Sequence, residues 1–455
     1  MIKLKDKYIN LIILCIIMVG AWTRVVSYGS LLLSIGMLDT QSYIDSSMAT
    51  NSLKTAFTER RLFTTNLLYK LIENEQTCKL TSSSNPYMGE EGVRKIQPCF
   101  NRIVLLQNIL SIFGWCLLAW TTAKHLKSIP YKIVITILIL TFGFTPQIAE
   151  WDSILSSESL SLSSFAIGLA ILLEIVFWMA EKRENNSNFN INIPLILWLC
   201  VFTLWLFIRD VHIYAVIVTL VLTIPILLIR KYRQIKILTA IISILIIFFI
   251  AGNYASKLSP RWQPSLTHVL DYYIFPYPSR VEFFFEHGMP RDLESAEYNA
   301  WFFDKGIRTY GLFLISHPGF ILSSTLDISA YLKSDFIQPH FKSPENPYRS
   351  VLLIFGEIVH PETNAVYFID LMLLFSLCAT TIKYRDKKNF AWTWLALWIL
   401  MYSSISLFIT LFGDIDGTRR HIFPSVELFR LFLWIFLTVQ IDQALENKGA
   451  EVPSS

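Results

Sequence analysis

Long apolar runs recur along the whole chain, and they constrain its fold more than any other feature. Hydrophobic residues make up 53 % of the 455 residues and charged residues 16 %, whereas a soluble protein carries about a quarter charged residues. A helix of about 20 apolar residues crosses a hydrocarbon core of about 30 Å. We therefore predict an all-α polytopic membrane protein with about ten transmembrane helices, forming a single domain over residues 1–455. The predicted spans are Tyr8–Trp22, Ile103–Ala123, Ile133–Ala149, Leu160–Ala180, Ile193–Ile208, Val211–Ile229, Ile237–Tyr254, Ala365–Ile382, Ala391–Phe412 and Ile422–Ile441.

The basic residues predict how the spans are oriented. No small-residue cleavage site follows the first run, which predicts a retained span with a cytoplasmic N-terminus. Alternate connectors are basic, as cytoplasmic loops are, whereas the opposite short loops are mixed or acidic. Both termini are therefore predicted inside. The basic residues concerned are Lys3, Lys5, Lys7, Lys124, Lys127, Lys132, Lys182, Arg183, Arg230, Lys231, Arg233, Lys236, Lys383, Arg385, Lys387 and Lys388.

Two long connectors, residues 24–101 and 255–364, are predicted on the external side. In the first, Ala49–Glu75 carries apolar residues at helical spacing between basic ones, which is typical of a helix lying along the interface. In the second, the apolar run Gly311–Leu332 is interrupted near Pro318. This run predicts a surface-lying or re-entrant pair of helices, because a further span would invert the charge bias of the following loop.

The six cysteines divide between spans and the first external connector. Cys78 and Cys99 both lie in that connector, and an oxidising compartment would let them pair. The bridge would close a loop of about twenty residues and contribute roughly 3 kcal/mol in the chain-entropy model. The other four cysteines lie inside predicted spans, where a small apolar residue is the ordinary interpretation.

Polar residues gather at the external ends of the spans. A charge at the bilayer centre costs roughly 2.5–3.5 kcal/mol, so ionisable residues near spans are functional candidates. Here acids and bases share one membrane level, which indicates a common site rather than scattered surface charges. The residues concerned are Asp39, Tyr43, Asp45, Glu150, Asp152, Glu158, Arg209, Asp210, Asp414, Asp416, Arg419, Arg420 and His421.

This arrangement suits a reaction at the membrane surface. A lipid-linked sugar phosphate is anchored by its tail, so its scissile bond lies at that level. A carboxylate there accepts a proton from an incoming hydroxyl as a general base. Arginine binds phosphate through a bidentate fork, and a histidine beside it helps to stabilise the leaving charge. Inverting transfer of this kind needs no covalent enzyme nucleophile.

At these residues the chain resembles the membrane glycosyltransferases of the GT-C fold, which include protein O-mannosyltransferases and aminoarabinose transferases. Those enzymes use polyprenyl- or dolichyl-phosphate sugars on the extracytoplasmic face and place an essential acid in the first external loop. Asp39 with Tyr43 resembles that motif, and "WDSILSSESLSLS" resembles the second-loop acids with Asp152 and Glu158. "FIRDVHIY", "ISHPGFIL" and "GDIDGTRRHIFP" resemble the Arg-Asp turn, the His-Pro element and the basic late loop.

The resemblance implies a role for each candidate, and a structural interpretation stands beside each role. Asp39 is equally typical of a helix N-cap, Asp45 is the alternative base, and Arg209 with Asp210 fits an ion pair. The bases of the late loop also fit lipid head groups, and Asp370 fits a polar contact between helices. The implied catalytic residues are Asp39, Asp152 and Glu158; the implied phosphate ligands are Arg209, Arg419, Arg420 and His421; the supporting residues are Tyr43, Asp45, Glu150 and Asp210.

The implied function is a lipid-phosphate-dependent glycosyltransferase of cell-envelope glycan synthesis. Its partners would be a polyprenyl-phosphate-linked sugar, membrane lipids and a glycan, lipid or protein acceptor. The alternatives are an O-antigen-type polymerase or ligase, and a transporter or flippase of lipid-linked saccharides. No zinc-binding or phosphate-cradling motif predicts a metal or nucleotide cofactor, and the small net charge of +4 speaks against nucleic acid. Composition favours a bacterial inner membrane with a periplasmic site; the endoplasmic reticulum is the alternative.

Overall fold

The chain folds almost entirely into helices. The structure, a computed structural model, describes residues 2–37, 39–72, 96–181, 191–229, 235–340, 346–415 and 418–451. Cys78, Asp416 and the basic residues at 182–183 and 230–233 lie outside these ranges. Within them there is no strand, and the β-type pairing is limited to isolated bridges from Ile35 to Ile96 and Ile154.

Each of the ten predicted spans coincides with a helix. Seven of the helices extend beyond the predicted run at one or both ends, whereas the helices of the third, fifth and sixth predicted spans end before the run does. The ten helices are α1 (Ile2–Ser27), α2 (Asn101–His125), α3 (Ile129–Phe144), α4 (Glu158–Glu181), α5 (Asn192–Leu206), α6 (Ala215–Leu227), α7 (Lys236–Leu258), α8 (Ala365–Tyr384), α9 (Lys387–Gly413) and α10 (Thr418–Glu451).

Eight helices of the described residues are long and apolar enough to cross a membrane, or nine if a bent pair of helices is counted as one span. In that pair, α3 is followed at 45° by Pro146–Ser153. The bend falls where Thr145 is extended (ψ 159°) before Pro146, as the residue preceding a proline prefers. The remaining predicted span, α5, is a shorter apolar helix of 15 residues. The chain is therefore an all-α polytopic membrane protein, as predicted.

Glycines allow the central helices to approach closely. A Cβ atom at Gly114 on α2 would lie 2.8 Å from the carbonyl oxygen of Ser163 on α4. On α3, a Cβ atom at Gly143 would lie 2.2 Å from the ring of Trp115 on α2. Small residues at such crossings bring helix backbones together where lipid offers no hydrophobic drive for association. Helices α2, α3 and α4 thus form one tight group, and α10 packs against α9, α8 and α3.

The first long connector forms three short helices, Thr40–Ala49, Leu53–Thr58 and Phe63–Ile72. The sequence predicts one helix over Ala49–Glu75, whereas the described part of that segment is two helices separated by a turn. Ser52 caps the first of them by accepting from the backbone N–H of Thr55. The turn between the two helices brings Arg60 and Arg61 toward the bundle, whereas a single interfacial helix would leave them along the membrane surface.

The second long connector is also helical over most of its described length. A break at His317 and Pro318 separates two helices in the run 311–332, as predicted. Proline at the first position of a helix is favourable, because its missing N–H has no partner there in any case. The helices are Trp262–Val269, Pro278–Glu286, Ala296–Trp301, Ile307–Ser316, Pro318–Asp327, Ser329–Leu332 and Pro347–Val359.

The orientation of the helices in the membrane is predicted from the charge bias of the loops. Labelling of cysteine variants in intact cells tests this prediction. In a background with the four free cysteines replaced by alanine, we expect a membrane-impermeant maleimide to label Arg291→Cys, a side chain that is 79 % exposed. Lys388→Cys, in the first turn of α9, should react only after the cells are lysed. Labelling of Lys388→Cys and protection of Arg291→Cys in intact cells would reverse the topology.

Candidate functional site

A cavity of about 1400 Å³ lies at one end of the bundle. Its walls come from both long connectors, from the turn between α5 and α6 and from the loop between α9 and α10, which the sequence places on one side of the membrane. Six arginines and three aspartates line it, so the cavity favours anions. These residues are Arg60, Arg61, Arg209, Arg261, Arg419, Arg420, Asp39, Asp210 and Asp414.

Asp39 sits at the cavity wall between two arginines. It stands at the N-cap of Thr40–Ala49, but its side chain makes no capping hydrogen bond, so helix capping does not account for it. Its carboxylate pairs with Arg61 at 3.2 Å and contacts Arg420. Burial alone would raise the pKa of the Asp39 carboxyl, but the two guanidinium charges outweigh it and lower that pKa to about 2.

Arg420 is shared by several partners. Besides Asp39, its Nε lies 3.1 Å from a carboxylate oxygen of Glu158, and Nη2 lies 3.3 Å from Nε2 of His421. The same Glu158 oxygen lies 3.5 Å from Arg209. Glu158 opens α4 and is fully buried. Four of the predicted residues thus meet Asp39 in one contact network at the cavity.

Arg61 is held in place by its neighbours on the first connector. Its Nε donates to the hydroxyl of Ser42 at 2.7 Å, and its guanidinium lies over the ring of Tyr43, 4.1 Å from the centroid. Tyr43 is buried. Tyr43, a predicted supporting residue, therefore positions Arg61 so that its guanidinium faces Asp39.

Asp414 gathers a second group of polar side chains in the same cavity. Its carboxylate accepts from the Ser265 hydroxyl at 3.1 Å and lies 3.2 Å from Nδ1 of His268. On its other side, Nδ1 of His421 is 3.7 Å away. His421 therefore lies between the Asp39–Arg420 pair and Asp414.

Arg419 faces a different partner from Arg420. Its Nε donates to the carbonyl oxygen of Asp335 at 2.8 Å, and Nη2 also reaches the carbonyl of Ile337 at 3.3 Å. The indole of Trp151 donates to the carbonyl of Phe336 between them at 2.8 Å. Arg419 lines the cavity, but these bonds use it to hold the segment 335–337, so we assign it a positioning role.

Two of the predicted acids lie behind the cavity wall. Asp152 pairs with Arg24 of α1 at 2.9 Å, and both side chains are 1 % exposed. It also accepts from Ser159 at 2.6 Å. Glu150 pairs with Arg349 of Pro347–Val359 at 2.7 Å. Neither acid lines the cavity. Their contacts join α1 and the second connector to the bent end of α3.

Of the two remaining predicted residues, Asp210 lines the cavity and Asp45 does not. Asp45 is exposed and bonds to Gln41 at 2.7 Å, and it does not line the cavity. Asp210 lines the cavity and pairs with Arg261 at 3.2 Å rather than with its neighbour Arg209. Between the two first-loop acids, the structure therefore brings Asp39 and not Asp45 to the cavity.

The buried Arg24–Asp152 pair gives a stability prediction. Removing one charge of a buried pair leaves the other uncompensated and costs about 3–5 kcal/mol. Asp152→Asn should therefore lower the unfolding temperature in detergent, while kcat per folded molecule is retained. The double variant Arg24→Met with Asp152→Leu, which removes both charges, should recover much of that loss. A collapse of kcat in correctly folded Asp152→Asn would instead support the catalytic role predicted from sequence.

Sequence reasoning missed several cavity residues. The sequence places Arg60 and Arg61 on a predicted interfacial helix, and Arg261, Ser265 and His268 belong to no motif. A signal was present: these arginines lie in connectors predicted to be external, against the usual bias of basic residues to the inside. Arginines in connectors that are predicted to be external therefore indicate residues of the site.

The cysteines, Asp370 and the metal-ligating residue types lie in a different setting from the cavity residues. Cys99 is disulfide-bonded, and its predicted partner Cys78 lies outside the described residues. Cys15, Cys116, Cys200 and Cys378 are free. Asp370 was predicted to contact another helix, but neither of its carboxylate oxygens accepts a hydrogen bond from the described residues. In the same part of the chain, no group of three or more His, Cys, Asp or Glu is placed to hold a metal ion.

Fold and cavity together define a polytopic membrane protein with a charged chamber at one end of its helices.

No family model matches the sequence, and a search of curated proteins finds no match. The chain is similar to the archaeal oligosaccharyltransferase AglB from Archaeoglobus fulgidus in complex with an inhibitory peptide and a dolichol-phosphate, with 12 % identity over 99 % of this chain and a TM-score of 0.43. It is similar also to the apo form of the A. fulgidus oligosaccharyltransferase, with 12 % identity over 96 % of this chain and a TM-score of 0.45. The chain spans 52 % of the length of each of these structures.

Proposed function

We propose that this protein is a membrane glycosyltransferase that moves a sugar from a polyprenyl-phosphate donor to a hydroxyl of a glycan, lipid or protein acceptor. The observation that carries the proposal is the contact of Asp39 with Arg420 inside a large cavity at the ends of the spans. A general base and a phosphate ligand are thereby adjacent, as transfer from a sugar phosphate requires. We place the cavity on the external side from the charge bias of the loops, and we infer a bacterial inner membrane, with the cavity facing the periplasm, from the composition of the chain.

The balance of charge in the cavity supports an anionic donor. Six arginines line it against three aspartates, and the buried Glu158 neutralises part of the charge on Arg420 and Arg209. Arg60 makes no hydrogen bond or ion pair with the described residues, so its charge is available to a ligand. A single phosphate group fits this surplus of positive charge.

We infer that the donor phosphate competes with Asp39 for Arg420. Two guanidinium groups hold Asp39 ionised but give it a low affinity for protons, whereas a base works best with a pKa near the working pH. When the phosphate draws Arg420 away, the pKa of Asp39 rises, because one of the two charges that lower it is then shared with the phosphate. Donor binding would therefore activate the base.

The proposed chemical step needs no further reagent. The acceptor oxygen attacks the anomeric carbon, and its proton passes to Asp39. The bond from that carbon to the phosphate oxygen breaks, and the phosphate leaves with the electron pair. Arg420 and Arg209 stabilise the negative charge that grows on the phosphate. Because the acceptor attacks opposite the leaving group, the anomeric configuration inverts.

Glu158 fits a positioning role in this scheme. It is fully buried and lies within 3.5 Å of both Arg420 and Arg209. A carboxylate in that place fixes two arginines side by side without reaching the cavity wall. We therefore separate Glu158, which orients the phosphate ligands, from Asp39, which takes the proton.

The proposal is tested by incubating the protein in lipid nanodiscs with a panel of undecaprenyl-phosphate hexoses and a membrane extract as the source of acceptor. Release of undecaprenyl phosphate with transfer of the labelled sugar is expected, and Asp39→Asn should abolish most of it. A second assay uses the protein in sealed vesicles. Movement of the lipid-linked sugar across the vesicle membrane, without release of undecaprenyl phosphate, would instead identify a flippase.

A further inference from the structure

The group formed by Ser265, His268 and Asp414, here called the Asp414 cluster, lies outside the phosphate chemistry described above. Asp414 follows the last residue of α9, and its partners lie on the short helix Trp262–Val269. Ser265 and His268 are three residues apart, so a helix turns both side chains to the same face. They contact different oxygens of one carboxylate, at 3.1 and 3.2 Å.

The surroundings of the Asp414 cluster differ from those of Asp39. The cavity wall near it on the short helix adds the uncharged residues Gln263 and Thr267. The ring of Phe302 also lines the cavity and stacks on Trp262 with 5.6 Å between ring centroids. A carboxylate, an imidazole and an amide exchange hydrogen bonds with hydroxyl groups, and an aromatic ring packs against the C–H face of a sugar ring.

The cluster retains hydrogen-bonding capacity toward the cavity. His268 uses Nδ1 for Asp414, and its Nε2 makes no hydrogen bond with the described residues. The His268 side chain is 31 % exposed and that of Asp414 25 %. Nε2 of His268 is therefore available to a ligand hydroxyl as a hydrogen-bonding group.

The cluster is also adjacent to the proposed reaction centre. His421 lies 3.7 Å from Asp414 and 3.3 Å from Arg420, which contacts Asp39. The cavity of about 1400 Å³ exceeds the roughly 300–1,000 Å³ of ordinary ligand pockets. A sugar ring therefore fits beside the phosphate within one chamber.

We propose that Ser265, His268 and Asp414 form a subsite that binds hydroxyl groups of a sugar ring. The proposal rests on the proposed function for placing this sugar beside a lipid phosphate; the recognition of hydroxyl groups rests on the cluster alone. The same chemistry serves the sugar of the donor or a sugar of the acceptor. Binding experiments with separate probes distinguish the two.

The test compares wild-type protein in detergent with Asp414→Asn and His268→Gln. The probes are undecaprenyl phosphate, undecaprenyl-phosphate hexoses and methyl glycosides of the same hexoses. If the subsite holds the donor sugar, both substitutions should weaken binding of the glycosylated lipid at least tenfold and change binding of bare undecaprenyl phosphate less than twofold. If it holds the acceptor sugar, the methyl glycosides should show the loss instead.

Glu282→Gln is the matched control, since that carboxylate is in the same connector and is 57 % exposed. It should leave binding of every probe unchanged, and unfolding temperatures verify that all variants fold. The proposal is overturned if the Asp414 and His268 variants weaken bare undecaprenyl phosphate as much as the glycosylated lipid, or if no probe is affected. Failure of wild-type protein to bind undecaprenyl phosphate would sink the proposed function, while the methyl glycosides would still test the subsite.

Discussion

Asp39→Asn is expected to lower kcat by about 10²–10⁴-fold, the usual loss when a positioned general base is removed. Asparagine keeps the size of the side chain but accepts no proton at working pH. It also no longer holds Arg420 by charge, so the donor phosphate meets less competition. We therefore expect the KM for the donor to stay the same or fall. Initial rates with a purified undecaprenyl-phosphate sugar measure both quantities.

Asp45→Asn is the matched control, because Asp45 is an exposed carboxylate on the same helix, six residues from Asp39. Its partner is Gln41 and it does not line the cavity. Turnover of Asp45→Asn should stay within about twofold of wild type, or about 0.4 kcal/mol by the rate–energy relation. If Asp45→Asn loses turnover and Asp39→Asn keeps it, the base has been assigned to the wrong acid.

Arg420→Lys is expected to lower kcat/KM by about 10²–10³-fold, comparable to removal of one transition-state donor. The guanidinium of Arg420 is one rigid group whose Nη2 contacts both Asp39 and His421 and whose Nε lies beside Glu158. A lysine ammonium is a point charge and cannot keep these directions while it binds a phosphate bidentately. Part of the loss should appear in kcat, since the charge on the phosphate grows as the glycosidic bond breaks.

Arg419→Lys separates a phosphate ligand from a positioning residue. Arg419 donates to the backbone carbonyls of Asp335 and Ile337, so its replacement should lower the unfolding temperature more than Arg420→Lys does. Its loss of kcat/KM should be the smaller of the two. Should Arg420→Lys keep kcat/KM within about twofold, the assignment of Arg420 to the donor phosphate has to be abandoned.

The helices of the bundle could be predicted because hydropathy is a local property. Ten apolar runs predict ten helices, and each run contains a helix in the structure. The break at Pro318 was predicted, whereas the predicted span Ile133–Ala149 passes through Pro146 without the bend found there, although proline restricts the residue before it. The sequence does not predict that α5 ends at Leu206, because its apolar run continues to Ile208.

The cavity could be predicted only in part, because its contacts join distant parts of the chain. Asp39 and Arg420 are 381 residues apart, and His268 and Asp414 are 146 apart. The sequence placed acids and bases at one membrane level, but nothing local told which of them meet. For the same reason Asp152, which has the same residue type and level as Asp39, was predicted in the site although Arg24 holds it behind the wall.

A cryo-electron microscopy structure with bound undecaprenyl phosphate would show whether Arg420 binds the donor phosphate. We expect phosphate density in the cavity, with its oxygens about 2.7–2.9 Å from the nitrogens of Arg420, as in charge-assisted hydrogen bonds. Arg420 should then have moved from Asp39 toward the phosphate, with Arg209 beside it. Phosphate density outside the cavity, with the Asp39–Arg420 contact unchanged, would mean that Arg420 is not a ligand of the donor phosphate.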